Sequence, residues 1–286
     1  MATFECVPNI SEGRDRATID ACAEAVERAG ARLLHRTSDE AHNRSVLTIA
    51  GPYDRLREAA FALTAVAAAR IDVRTHVGVH PRIGALDVLP FVPLEGATMA
   101  DAISLARETA QLIWDRLRVP SFLYGEAAAT PLRRNLAAVR QGQFEGLDAR
   151  FLLPDWRPDF GDVPKHESAG AIAVGARDIL IAFNVELATS DLALAKRIAR
   201  TIRERDGGMR TLRALGLQLN DERVQVSLNI TNYRATPLYR VFETVRSLAA
   251  QAGVAVARGE LIGCVPYEAV ESTAHFYLGT MPAKGS

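Results

Sequence analysis

Apolar and polar positions along this chain switch between a period of two and a helical period, and the switches mark out the elements. Thr3–Val7 is a short apolar run closed by Pro8-Asn9, the pattern of a strand ending in a turn. Asp15 is placed to cap a helix that Gly30 stops. Ala31–His35 and Ser45–Ala50 are further strands, the second closed by Gly51-Pro52. Asp54–Arg70 predicts a helix and Leu86–Val92 an apolar strand, whose Pro90 points to a sheet edge or a bulge. Thr98-Met-Ala-Asp101 is a capping box with Asp in the Glu position. Behind it Ile103, Ala106, Ala110, Ile113 and Leu117 recur at helical spacing. Ser121–Tyr124 predicts a strand, and Thr130-Pro131 opens a helix that Gly142 ends.

Residues 148–170 break this rhythm with Asp, Pro, Gly and His, and an irregular run of that length is usually functional or a linker. The pattern then restarts. Ile179–Val185 predicts a strand, followed by a basic helix from a Ser190 cap to Arg205, ended by Gly207-Gly208. Strands over Leu212–Leu219 and Val224–Asn232 precede a helix from Thr236-Pro237 to Gln251. Val254–Val265 holds a last strand, and a short helix follows Pro266. Both halves read β-α-β-β-α-β, the split-βαβ order, although their sequences are not alike. The prediction is an α/β (α+β) protein of two ferredoxin-like βαββαβ subdomains, residues 1–176 and 177–286, with a ligand channel between them.

Composition narrows the partners. At 286 residues the chain can bury one large core or two ordinary ones, and 48% hydrophobic with 24% charged is a globular balance. Lys+Arg and Asp+Glu are both 34, which removes the uniform positive field expected of a nucleic-acid binder. The basic run Lys196–Arg205 reads as one solvated helix face. Cys6, Cys22 and Cys264 are scattered, without metal-type spacing. The N-terminus lacks a signal-peptide pattern, and the Ala-rich stretch Phe61–Ile71 is too short to cross a bilayer. The expectation is a cytoplasmic protein with reduced thiols and neither membrane nor nucleic acid as partner.

The densest candidate chemistry lies in Arg74–Ala85. His76 and His80 are four apart, a zinc-like spacing on a helix, but Gly78 and Pro81 make a helix there improbable. In an extended chain His76, Gly78 and His80 share one face. Two readings stand: structural histidines beside a turn, or a base working near neutral pH. Arg82 suits either a bidentate carboxylate contact or a structural ion pair. The turns Asn9–Gly13, Ser38–Ser45 and Tyr124–Ala127 follow predicted strands, where ligand sites are often lined. Neither a GxxxxGK[ST] phosphate loop nor a GxSxG elbow occurs.

Taken together, ECVPNISEGR at 5–14, HNRSVLTIAGP at 42–52, HVGVHPRIGALDVLPFVP at 76–93 and LYGEAA at 123–128 resemble the glutamate formimidoyltransferase family. That is the formiminotransferase domain of the formiminotransferase-cyclodeaminase family. The likeness continues through RRNLAAVRQGQFEGL at 133–147, PDFG at 158–161, AGAIAVGARDILIAFNVEL at 169–187 and VQVSLNITNY at 224–233. It implies transfer of the formimino group from N-formimino-L-glutamate to N5 of tetrahydrofolate in histidine degradation, with tetrahydrofolate as co-substrate, no metal, and a homodimer. The family's catalytic histidine falls on His80, as general base and acid. Its folate-binding stretch falls on Gly161, Asp162, Val163, Pro164, Lys165, His166, Glu167, Ser168, Ala169 and Gly170. Asp39, Asn43, Arg44 and Arg82 are candidate substrate-binding residues, chiefly on charge complementarity, with Lys165 a further candidate for a carboxylate. The chain departs from the family's pattern at Ile83, often Met, at Asp178 and Glu186, and at Asp162–Lys165. The alternatives are a related folate one-carbon transferase using N-formylglutamate or 5-formyltetrahydrofolate, a noncatalytic folate-binding protein, and a histidine-ligated metal hydrolase.

Overall fold

A computed structural model describes residues 2–40, 42–78, 81–162 and 164–280. The chain folds as two compact units, Met1–Asp178 and Ile179–Ser286. Among the described residues no helix is long and apolar enough to cross a membrane.

The first unit begins with β1 (Thr3–Cys6) and β2 (Asn9–Ile10), two pieces of one path interrupted at Val7-Pro8. Helix α1 (Arg16–Arg28) follows, and the Asp15 side chain accepts the Ala17 N–H at 3.0 Å as its cap. Strands β3 (Arg32–Asp39) and β4 (Arg44–Pro52) form a hairpin, and α2 (Tyr53–Arg70) leads to β5 (Leu86–Pro93). The order β3-β4-β1/β2-β5 is antiparallel throughout, the ferredoxin-like arrangement the sequence predicts. Helix α3 (Met99–Leu117) starts in the expected capping box, with Thr98 and Asp101 satisfying each other's backbone N–H groups. β6 (Ser121–Gly125) and β7 (Ile172–Ala176) extend the sheet in parallel, β7 lying between β5 and β6. α1, α2 and α3 pack side by side against it, burying Phe4, Phe91, Leu56, Leu63 and Ile113 completely or nearly so.

The structure departs from the sequence pattern at three places. Pro90 sits in the middle of the sheet, not at an edge, and of the two expectations the strand shows the other, a register shift against β2 between Val88 and Leu86. Its carbonyl accepts the Val7 N–H at 3.2 Å, so its missing N–H points at the Val7-Pro8 interruption, where the ladder is already broken. Strand β7 falls between the irregular run and the strand expected at Ile179, where the pattern assigns no element, because its small residues (IAVGA) carry little strand signal. The helix expected over residues 130–142 is instead a 3₁₀ turn at Pro131–Arg134 and a single short helix, α4 (Leu136–Val139).

The irregular region packs around two buried arginines. α5 (Leu147–Phe151) supplies Arg150, whose guanidinium caps the carbonyls of Ala138, Val139 and Gln141 at the end of α4. The same group lies 3.4 Å from the centre of the Trp156 ring. Arg133 binds Asp159 at 2.6 Å and the carbonyls of Asp155 and Arg157. Asp159 in turn accepts the Leu123 N–H at 2.7 Å, tying this coil to β6.

The second unit runs β8 (Ile181–Leu187), α6 (Leu192–Ile202), β9 (Leu212–Gln218), β10 (Val224–Ile230), α7 (Leu238–Gln251), β11 (Val256–Ile262) and α8 (Tyr267–Leu278). Its sheet order β11-β8-β10-β9 is again ferredoxin-like and antiparallel. The cap of α6 is Asp191, one residue past the expected Ser190. Glu186, one of the departures from the family pattern, is buried and held by Arg223 at 3.3 Å and Arg258 at 2.6 Å.

Candidate active site

Loops from distant parts of the first unit are stitched together by backbone polar groups. Ser11 donates its N–H to Ala85 O at 2.8 Å and its hydroxyl to Gly84 O at 2.7 Å. Asn43 joins two further segments. Its Oδ1 accepts the Gly13 N–H at 2.9 Å and its Nδ2 donates to Val77 O at 3.2 Å. Asn43 has a left-handed φ of 48°, a conformation its short polar side chain tolerates. His76 Nε2 lies 2.9 Å from Asn43 O, which assigns the ring proton to Nε2 because a carbonyl only accepts. His76 Nδ1 is buried without a partner among the described residues. Gly78 has to be glycine, since a Cβ there would lie 2.5 Å from His42 O.

The 161–170 segment closes on itself and on this cluster. His166 and Gly170 exchange backbone hydrogen bonds of 3.1 and 3.0 Å, and His166 Nδ1 accepts the Ala169 N–H at 3.1 Å. Ser168 O accepts Val73 N–H at 2.9 Å, Ala169 O accepts Ala85 N–H at 2.9 Å, and Ala171 N–H reaches Ile83 O at 3.0 Å. Gly170 has φ 70°, and a Cβ on it would lie 2.2 Å from Ile83 O. The folate-binding segment expected from the sequence therefore runs directly against the chain that follows His80-Pro81-Arg82. Gly161 (φ 117°) backs onto Pro120 and Trp114 at the start of the segment. Lys165 pairs with Asp148 and stands 4.8 Å over the Phe144 ring. Glu167 pairs with Arg74 at the surface.

Charged groups complete the site. Arg82 is buried, and its guanidinium is held by Glu145 at 2.7 and 3.0 Å and by Gln143 at 3.2 Å. Of the two sequence readings for Arg82, the structure displays the internal ion pair. Asp87 on β5 is 1% exposed; it accepts the Ile83 N–H at 2.8 Å and Arg140 Nε at 2.9 Å. Burial pulls the Arg44 guanidinium below its usual range, Arg140 adding to this and Asp87 and Asp39 opposing it. Asp39 accepts the His42 N–H at 2.9 Å and contacts His42 Nδ1 at 2.7 Å. His80 and Val163 lie outside the described residues.

Asn43, Arg82 and the 165–170 turn thus meet in one network, with Arg44 and Asp39 at its charged margin. Asp87, Arg140, Gln143 and Glu145 were missed. A lone carboxylate inside the apolar run Leu86–Val92 was the available signal for Asp87. Nothing local marks Arg140 or Glu145, whose partners are 53 and 63 residues away. Among the described residues no group of three or more His, Cys, Asp or Glu side chains is placed to hold a metal ion. The arrangement offers backbone turns and cationic side chains beside a histidine-bearing segment, the equipment for binding an anionic, hydrogen-bonding ligand and moving a proton.

Two of these contacts give the site an acid limit. Hydrogen bonding to Arg82 holds the Glu145 carboxyl below its ordinary 4.5, and hydrogen bonding to Lys165 holds Asp148 below 3.8. A depressed carboxyl stabilises the fold above its unfolded-state value and loses that contribution as pH falls through the folded one. Wild-type thermal stability should therefore exceed that of a Glu145→Gln/Asp148→Asn double variant at neutral pH. The gap should hold down to about pH 4 and close only as the pH falls further, through the depressed values; a gap unchanged far below that pH would contradict the assignment.

Comparison with known proteins adds family evidence. The model for the formiminotransferase domain, N-terminal subdomain, matches residues 3–177, and that for the formiminotransferase domain matches 182–283. Over 276 residues the chain is 44% identical to the glutamate formimidoyltransferase of Streptococcus pyogenes serotype M1, covering 96% of this chain and 92% of that one. It is 43% identical to the glutamate formimidoyltransferase of Thermoplasma acidophilum, covering 97% and 93% respectively. Against the formimidoyltransferase-cyclodeaminase of Dictyostelium discoideum the identity is 40%, over 96% of this chain and 52% of the other.

Proposed function

The chain belongs to the formiminotransferase family, and we propose that, as a transferase of that family, it moves the formimino group from N-formimino-L-glutamate to N5 of tetrahydrofolate. The N5 lone pair attacks the formimino carbon and forms a C–N bond. N5 then loses a proton, the glutamate nitrogen gains one, and the bond from carbon to that nitrogen breaks. The products are 5-formiminotetrahydrofolate and glutamate. His80 takes the first proton and returns it to the leaving nitrogen, so no covalent enzyme intermediate is needed. Holding both substrates together supplies much of the remaining rate gain.

The observation that carries this reading is the match of both family models across nearly the whole chain. The stitching of residues 169–171 to Ile83 and Ala85 supports it, since those two residues follow the His80-Pro81-Arg82 motif in sequence. Residues 161–170 bind the folate in this reading, and Arg44 and Lys165 are candidates for the carboxylates of glutamate or of the folate tail. The reading includes a homodimer acting on small molecules in the cytoplasm, in histidine breakdown, with tetrahydrofolate as co-substrate and no metal.

Purified protein should convert formiminoglutamate and tetrahydrofolate to 5-formiminotetrahydrofolate, followed by product absorbance and glutamate release. Turnover with a formyl donor alone would replace this reading with a related one-carbon transferase. Folate binding without turnover, indifferent to His80→Ala, would make the protein a binder. Activity lost to chelators with stoichiometric metal would make it a metal hydrolase.

A further inference from the structure

The turn at residues 142–146 touches both the Arg82 segment and the 161–170 segment. Gly142 (φ 83°) and Gln143 (φ 54°) are both left-handed. A non-glycine residue persists in that conformation where its surroundings over-determine it. Here they do. Arg82 O accepts the Phe144 N–H at 2.9 Å, while the Arg82 guanidinium holds the Gln143 and Glu145 side chains. One arginine thus grips the turn through its main chain and its side chain. Phe144 between these grips is 7% exposed, and its ring carries the load on the other side. A Cβ on Gly170 would lie 2.9 Å from Phe144 Cδ2, and Lys165 Nζ stands 4.8 Å from the ring centre.

We propose that Glu145 is a positioning residue for tetrahydrofolate: its two-pronged hold on Arg82 fixes the turn whose Phe144 ring sets Lys165 and Gly170 in the folate-binding segment. The proposal rests on the reading of residues 161–170 as that segment. Glu145 is exposed, and its carboxylate needs no folate contact to act, because the path runs through Arg82 and Phe144. A bidentate arginine–carboxylate pair fixes orientation as well as distance, which a single hydrogen bond does not. Loosening it lets Phe144 shift and takes Lys165 and Gly170 with it.

The test measures 5-formyltetrahydrofolate binding by isothermal titration calorimetry on the full chain, with donor KM and Tm in parallel. Glu145→Gln keeps the size and removes the charge; Glu145→Asp keeps the charge and shortens the reach. The expected result is a Kd raised about tenfold in the Gln variant, partly restored in the Asp variant, with donor KM within about twofold. Phe144→Leu, which leaves the Arg82–Glu145 pair in place, should give the same folate-specific loss and serves where Glu145→Gln fails to fold. An unchanged Kd, or equal weakening of folate and donor, would overturn the proposal alone. Wild-type protein that does not bind 5-formyltetrahydrofolate would remove the underlying reading and this proposal with it.

Discussion

Replacing His80 by alanine is expected to lower kcat by about 10³-fold, with the KM for tetrahydrofolate changed by no more than about threefold. General acid–base catalysis by a positioned imidazole is worth that much, because the residue relays a proton in the transition state without providing the main binding surface. Two proton movements need a carrier in this transfer, one from N5 and one to the glutamate nitrogen. In the proposed mechanism His80 is that carrier for both, so glutamine at the position should be nearly as poor as alanine. The pH profile should change with the rate. Any limb of the wild-type kcat profile that His80 supplies should be absent from the variant. Near-normal kcat in either variant, measured under saturating substrates, would take His80 out of the mechanism.

Asp87→Ala is expected to cost about 3–5 kcal/mol of stability and to bring down activity with it. Asp87 has a 1% exposed side chain and Arg140 a 14% exposed one, so water cannot replace the lost carboxylate. The substitution strands the Arg140 guanidinium and leaves the Ile83 N–H without its 2.8 Å acceptor. Asp87→Asn keeps an acceptor for that N–H and should lose less. Chemical denaturation resolves the two, and a loss below about 1 kcal/mol in the alanine variant would show that the pair is not buried as described. Because Ile83 also accepts the Ala171 N–H, the damage should spread to the 166–171 turn.

The fold was largely legible because its signals are local. Asp15, Thr98 and Asp101 sit where capping chemistry needs them, and the structure uses them so. The doubled β-α-β-β-α-β order follows from punctuation by Gly and Pro at the ends of periodic runs. What escaped depends on partners remote in sequence. Pro90 belongs in a central strand only because the chain breaks opposite it at Val7-Pro8. The IAVGA segment becomes a strand because β5 and β6 both need a neighbour, and Gly175 leaves room for the Tyr124 ring, 2.6 Å from where a Cβ would stand. Among the candidate residues, His80 and Arg82 stood out by type and spacing, and Asn43 only as part of the polar turn Ser38–Ser45. Glu145 and Arg140 did not, since an acidic or basic residue in a surface-like stretch is ordinary until its counterpart is known. The carboxylate contact anticipated for Arg82 is made, in this structure, by the protein's own Glu145.

The place of β7 between β5 and β6 has a consequence for how the protein is made. Among the described residues β6 is hydrogen-bonded to β7 and to no other strand, and β5 takes β7 on its outer side. A growing chain released from the ribosome up to about residue 170 therefore holds two open strand borders, which are sticky to other chains. Its first lobe cannot be sealed until the small, unassuming IAVGA stretch has emerged and threaded itself into the gap. Synthesis of the second lobe begins only a few residues later, so the last stitch of one half and the first of the next are nearly simultaneous.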